Sequence, residues 1–414
     1  MAETAEAAPC RREVVGEELP DGLGPYPLIA QLGLRQAWDL ATGEGVTVAV
    51  VDSGVDARHP DLAASVRRGS EFALVADERG FTRASPEPAQ DCEGHGTAVA
   101  GLIAARRAEG DRMAGVAPGA AVYPVRIADG VEQATAALLA AALDDAVEAG
   151  AQVVNLSLAV PTDYPELREA VARAVAADVL LVAAAGNEGN QGAAGGRMYP
   201  AAYDGVLAVG GVGEDGQPLD SSNSGPWVDL AAYGQELAVA APGGSGYRVE
   251  SGTSVAAAQV SGAAALVRSR FPELPAAEVA ARLTAAATPV GGGPNDRTGA
   301  GLVDPFGALT LLAEPGRPGG PALPGHIPVQ ALPEEEPPLS PAAATALAWS
   351  GGLLLAVLLG LLGAPAVRRA ARRDWRAGPG PADAAPTPAA RPTAPPALDW
   401  LAGADPGRSP ERKR

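Results

Sequence analysis

The stretch Val46-Thr47-Val48-Ala49-Val50-Val51 runs directly into Asp52-Ser53-Gly54-Val55-Asp56, and its reading decides the fold. The first six residues are β-branched or small, with no polar alternation beyond one threonine. Such a run is a strand buried on both faces, and the Asp-Ser-Gly that follows is turn chemistry. Outward from it, similar runs recur at 122–127, 153–158, 179–184 and 206–212. Ala-rich helical stretches, such as 134–149 and 164–177, lie between them. Continuous apolar strands separated by helices predict an α/β domain, a mainly parallel sheet covered on both faces in three layers. Aromatics make up only 4% of the chain, so the core must be built from Ala, Val and Leu. The pattern holds over residues 34–313, enough for one large domain with a sizeable core.

The flanks have a different character. Residues 1–33 form a polar, acidic extension in which Pro20, Pro25 and Pro27 are expected to break any helix. No apolar run follows Met1, so no secretory signal is visible there. After the domain, residues 314–341 are rich in proline and read as a semi-rigid spacer. Residues 342–367 then carry no charge at all. Roughly 20 apolar residues cross a bilayer, so this stretch is predicted to be one transmembrane helix. Glu334, Glu335 and Glu336 precede it, and Arg368, Arg369, Arg372, Arg373 and Arg376 follow. Arginine stays on the cytoplasmic side. The tail, 368–414, is therefore expected to be cytoplasmic and disordered, with the domain outside the cell membrane. An outside domain must be translocated, so either the start lies upstream of Met1, which an apolar segment encoded in frame there would support, or the chain was trimmed, or export is unusual.

The net charge of −18 argues against nucleic acid as a general partner, because phosphate binding needs a basic surface. No His or Cys cluster has metal-ligand spacing, and no cofactor is indicated. Two cysteines are present, Cys10 and Cys92. In a reducing cytosol both would be free thiols; in an exported protein the even count suggests one disulfide. Closing that loop would constrain the unfolded chain by about 4 kcal/mol in the entropy model. Composition leaves the two states open.

Amide hydrolysis by acyl transfer needs a nucleophile, a base, a group to orient the base, and donors for the oxyanion. Of three histidines, His326 lies in the proline-rich spacer and His59 in the turn Ala57-Arg58-His59-Pro60-Asp61. His95, in Glu93-Gly94-His95-Gly96-Thr97, opens a helical run and has glycine on both sides, which permits close approach. Asp52 ends the first strand, where catalytic groups of such sheets collect; Asp56 lies a turn beyond. Ser254, in Ser251-Gly252-Thr253-Ser254, precedes the Ala-rich stretch 255–270. It is expected at a helix N-terminus, where free N–H groups stabilise negative charge. Each piece alone is ordinary: a turn aspartate, a structural histidine, a serine cap.

Together, and in this order, Asp-Ser-Gly-Val-Asp, Gly-His-Gly-Thr-Ala-Val-Ala-Gly and Gly-Thr-Ser-Val-Ala-Ala resemble the three signature blocks of the subtilisin family. Gly115-Val116-Ala117-Pro118, Val153-Val154-Asn155-Leu156-Ser157-Leu158 and Ala183-Ala184-Ala185-Gly186-Asn187 match as well. The resemblance implies a serine endopeptidase acting on proteins or peptides through Asp52, His95 and Ser254. It further implies Asn187 as the side-chain oxyanion donor, and Ser157, Leu158 and Ala159 as an edge that pairs with extended substrate. The chain departs from the family's pattern after the nucleophile, with Val255, Ala258 and Gln259 in place of Met, Pro and His. Losing that proline relaxes the early helix and adds an N–H.

The order of extension, peptidase domain, proline-rich linker and C-terminal apolar stretch resembles the mycosins, membrane-anchored proteases of type VII secretion systems. That branch implies a Cys10–Cys92 disulfide, an extension that stays attached, and secretion-complex components as partners. Two other roles fit the same motifs: a mainly structural member of the complex, and a general membrane-anchored quality-control protease.

Overall fold

The computed structural model describes residues 16–17, 27–75, 80–84, 90–107, 113–128, 134–189 and 196–312, with 349–350, 357–359, 361 and 363–375 beyond them. The chain divides into two compact units, Met1–Pro321 and Ala322–Arg414.

The first unit begins with α1 (Pro27–Gln31), α2 (Leu34–Trp38), β1 (Thr47–Asp52), β2 (Ser70–Leu74), β3 (Phe81–Ala84) and α3 (His95–Ala104). It continues through β4 (Ala121–Ile127), α4 (Ala136–Glu148), β5 (Val153–Leu156), α5 (Pro165–Ala176), β6 (Leu180–Ala184) and β7 (Val206–Val212). It closes with β8 (Leu230–Tyr233), β9 (Leu237–Ala240), β10 (Tyr247–Glu250), α6 (Thr253–Arg270), α7 (Ala276–Ala286) and α8 (Pro305–Thr310).

Eight strands form one sheet in the order β3-β2-β4-β1-β5-β6-β7-β8. Every pairing in it is parallel except β2 with β3. Successive side chains of a strand point to opposite faces, and the two cores follow that period. Val48 and Val50 of β1 and Leu180, Val182 and Ala184 of β6 enter one core, against α3 and α6. Ala49 and Val51 of β1 and Leu181 and Ala183 of β6 enter the other, against α4 and α5. This is the expected three-layer, mainly parallel α/β domain. The helix α6 is buried over nearly its whole length. Its alanines and Gly262 let it run close to α3 and to strands β5 to β8, as a core helix must.

Some elements carry no clear sequence signal. The strands β2 and β3 mix Ser70, Glu71, Thr82 and Arg83 with their apolar residues, and the buried Glu71 pairs with Arg126. The apolar run at 153–158 outlasts β5 by two residues, because Ser157 turns out of the ladder. Pro27 does not break a helix; it opens α1, where its missing N–H costs nothing and its fixed φ suits the first turn. Leu28 and Leu32 then enter the first core, so the end of the extension is part of the packed domain.

In the second unit, 363–371 is helical and runs past the expected boundary at 367 into the arginines. Alanine and arginine are both good helix formers, which accounts for the overrun. Leu358, Leu359 and Leu361 are exposed. No helix among the described residues is long and apolar enough to cross a membrane. Much of the expected span 342–367, and all of the tail after 375, lies outside the described residues.

Candidate active site

The chain enters the sheet at β1, next builds to one side of it, and from β5 onward builds to the other. Ligands and reactive groups collect at the carboxyl ends of strands around such a reversal. Asp52 ends β1, and Ser157 and Asn187 follow the ends of the neighbouring strands β5 and β6.

Asp52 is the last residue of β1 and is 1% exposed. Its two carboxylate oxygens stand 2.8 and 2.9 Å from Nδ1 of His95. That leaves Nε2 as the nitrogen turned away from the carboxylate, on a ring that is still 30% exposed. The carboxylate of Asp52 pushes the His95 pKa up to about 9; burial opposes the shift, and Glu250 and Asp91 add to it. An imidazole with its pKa raised by a carboxylate is a strong general base once it loses its proton.

His95 is the first residue of α3, and the glycines beside it are sterically required. Gly94 caps the helix with φ 82°, a conformation natural to glycine. A Cβ on Gly96 would lie 2.0 Å from the carbonyl oxygen of Gly54 and 3.1 Å from Cβ of Asp52. Only a bare backbone lets α3 come this close to β1. Asp91, which sequence reasoning missed, anchors the helix start. Its buried carboxylate accepts from the N–H of Gly94 at 2.7 Å, the N–H of Thr97 at 2.8 Å and the Thr97 hydroxyl at 2.5 Å. It also accepts from the Ser53 hydroxyl at 2.8 Å, and Ser53 Oγ in turn receives the Gly96 N–H. Asp91 thus caps a helix from three residues before its N-cap. The sequence signal for it was the density of polar residues around His95, without an indication of their partners.

Ser254 is the second residue of α6, after the N-cap Gly252. Its backbone N–H is among those with no intrahelical acceptor. Two neighbours hold the helix start. Ser157 Oγ donates to the Ser254 carbonyl at 3.2 Å while accepting from Asn155 Nδ2 at 2.8 Å. Asn187 Oδ1 accepts from the N–H of Thr253 at 2.9 Å and from its hydroxyl at 3.1 Å. With the oxygen engaged twice, the Asn187 amide presents Nδ2 as its free donor. No hydrogen bond joins Ser254 Oγ to His95 among the described residues; such bonds often tighten only with substrate bound.

The remaining candidates divide. Ser157, Leu158 and Ala159 lie beyond the end of β5 and pair with no described strand. Leu158 is packed in the second core, so its backbone, and not its side chain, faces any partner. Asp56 is structural: it binds Arg58 and accepts the N–H of Gly243 at 2.9 Å. His59 is fully buried, with Nε2 on the Gly246 carbonyl at 3.1 Å. Among the described residues no cysteine is a free thiol, and Arg126 Nη2 donates to the sulfur of Cys92 at 3.0 Å. Cys10 lies outside the described residues. Beyond Ser254 the helix stays continuous through Ala258, and Gln259 Nε2 returns to the Val255 carbonyl at 2.9 Å. The departure from the family's proline is absorbed without a break.

A carboxylate-held imidazole, a serine opening a buried helix and an amide fixed beside it, at the carboxyl edge of a mainly parallel sheet, are arranged as in the subtilisin class of serine proteases. The chain belongs to the subtilase family, whose model matches residues 43–303. It is 38% identical to Subtilisin E of Bacillus subtilis over 250 residues, 60% of this chain and 62% of that protein's length. It is 36% identical to Mycosin-1 of Mycobacterium tuberculosis over 390 residues, 82% of this chain and 84% of the relative. Among solved structures it resembles a serine protease, MycP1, described as an essential component of the type VII (ESX-1) secretion system. That likeness has a TM-score of 0.60 and 33% identity, and covers 74% of this chain and 96% of that one.

Proposed function

We propose that this chain cleaves peptide bonds in proteins by acyl-enzyme chemistry, with Ser254 as nucleophile, His95 as general base and acid, and Asp52 as the orienting carboxylate. Ser254 Oγ attacks the scissile carbonyl carbon as its proton passes to His95 Nε2. The oxyanion forms against Asn187 Nδ2 and the Ser254 N–H. His95 then gives the proton to the leaving amine as the carbon–nitrogen bond breaks. Water, deprotonated by the same ring, hydrolyses the ester and returns the proton to Ser254. Extended substrate lies along the free backbone of Ser157, Leu158 and Ala159, adding a strand.

The observation that carries this reading is the Nδ1 contact of His95 with both oxygens of a buried Asp52. It fixes which ring nitrogen is left for the serine. A fluorophosphonate should label the protein covalently, and Ser254→Ala should abolish the label. Labelling that persists in that variant overturns the assignment.

The wider reading is a mycosin-like role, with the domain outside the cell, a helix at 342–367 in the membrane and type VII secretion components as partners. It is supported by a match to Mycosin-1 that extends well past the span shared with Subtilisin E. A disulfide between Cys10 and Cys92 belongs to the same reading, supported by the bound state of the Cys92 sulfur. In a host whose own copy is deleted, restored secretion by wild type and by Ser254→Ala alike would make the role structural. Restoration by wild type alone would make it proteolytic.

A further inference from the structure

The strand β10 leads through Ser251 and Gly252 straight into Thr253 and Ser254. Among the described residues it pairs with β9 and, at Tyr247, with Glu17 of the extension. Val249 at its centre is 65% exposed, so the core grips this strand at Tyr247 and hardly beyond. Arg248, the second residue of the strand, ties it to the segment ahead of His95. Its Nη1 donates to the carbonyl of Glu93 at 2.8 Å, two residues before His95. The other arm of the fork pairs with the Glu250 carboxylate. A Cβ on Gly94 would stand 2.7 Å from Arg248 Nη1, so the guanidinium packs directly on the residue that opens α3. Besides the packing of α6 on α3, the strand that leads to Ser254 and the turn that leads to His95 are joined at this side chain. Glu250 is also near enough to His95 for its charge to act on the ring.

We propose that Arg248 is a positioning residue that locks the Ser254 segment to the His95 segment, with Glu250 as the counter-charge that keeps the guanidinium seated. The proposal rests on the Asp52–His95–Ser254 reading above. A planar fork suits the task because it serves two anchors in fixed directions, which a single ammonium cannot.

The test measures the rate of fluorophosphonate labelling of the full chain against pH. It compares wild type with Arg248→Met, Arg248→Lys, Glu250→Gln and Ser254→Ala, with thermal unfolding read in parallel. Arg248→Met is expected to label about 10-fold more slowly at an unchanged unfolding midpoint, the scale of a small misplacement of reacting groups. Its acid limb should move to higher pH, because Glu250 is no longer neutralised beside His95. Glu250→Gln should move the limb to lower pH. Arg248→Lys should keep the wild-type limb, since the charge remains, at an intermediate rate. Arg248→Met with the rate and limb of wild type overturns the proposal, as does a rate loss that only follows lost folded protein with no shift of the limb. Should Arg248→Met fail to fold, Arg248→Lys at the wild-type rate overturns it equally. Wild-type labelling that survives Ser254→Ala sinks the underlying reading instead, so the two failures are distinct.

Discussion

Asn187 Oδ1 accepts both the N–H and the hydroxyl of Thr253, the residue immediately before Ser254. The contact does two things at once: it helps cap α6, and it orients an amide whose nitrogen must point elsewhere. A flipped amide would set Nδ2 against the N–H of Thr253, donor against donor, so the orientation is determined by the backbone.

Asn187→Ala should therefore lower kcat by about 100- to 1,000-fold with little change in KM, the range found when a subtilisin loses its oxyanion amide. Thr253→Val keeps the N–H contact but loses the hydroxyl, and should cost less. Steady-state kinetics on a peptide substrate separate the two. A larger loss of kcat in Thr253→Val than in Asn187→Ala would contradict the oxyanion role.

The base must be unprotonated to accept the serine proton. With its pKa pushed up to about 9 by Asp52, activity is expected to rise with pH through the alkaline side of neutrality. In Asp52→Asn the acid limb should fall back toward the ordinary imidazole value of 6.5, with kcat lower by about 10⁴-fold. The sign for stability is opposite to that for activity. The ion pair contributes fully below pH 6.5, where both folded and unfolded rings are charged, and fades as pH rises through about 9. A pH-rate profile with no difference between wild type and Asp52→Asn would refute the coupling.

Arg126 of β4 and Glu71 of β2 form an ion pair 2% and 3% exposed, on two strands that neighbour each other in the sheet. Arg126→Met strands a buried carboxylate and should cost about 3–5 kcal/mol, measured by urea unfolding. Arg126→Met with Glu71→Leu removes both charges and should regain most of the loss. If the double variant is no more stable than the single one, charge burial is not what holds this edge together.

Gly96→Ala places a methyl where the Gly54 carbonyl already stands, 2.0 Å away. The start of α3 must move from β1, at a cost of about 1–3 kcal/mol. His95 should move with it, so labelling at Ser254 should slow by more than the loss of folded protein explains. Wild-type labelling in Gly96→Ala would show that this close approach does not set the distance between base and carboxylate.

Much of the fold was legible because its signals are local. The run Val46–Val51 announces a strand buried on both faces, and the alanines of 255–270 announce a helix without a polar side. The glycines around His95 marked a close approach, since glycine tolerates what other residues cannot. Arg126, Glu71 and Asp91 were not legible in this way. A charged residue reads as surface until its partner is known, and these partners lie 55 and 6 residues away or come from backbone N–H groups. The strand β2 was hidden for the same reason, Glu71 being buried with a charged partner, while Thr82 and Arg83 of the edge strand β3 are exposed.

The sequence by itself determined the chemistry and the layers: which carboxylate, imidazole and hydroxyl are present, and that a parallel sheet would carry them at its strand ends. Those are properties of residue type and short spacing. Only the tertiary structure decided which nitrogen of His95 faces the carboxylate, which way the Asn187 amide points, and that Arg248 reaches the carbonyl of Glu93. Such choices depend on atoms brought together from distant parts of the chain, and no local pattern encodes them.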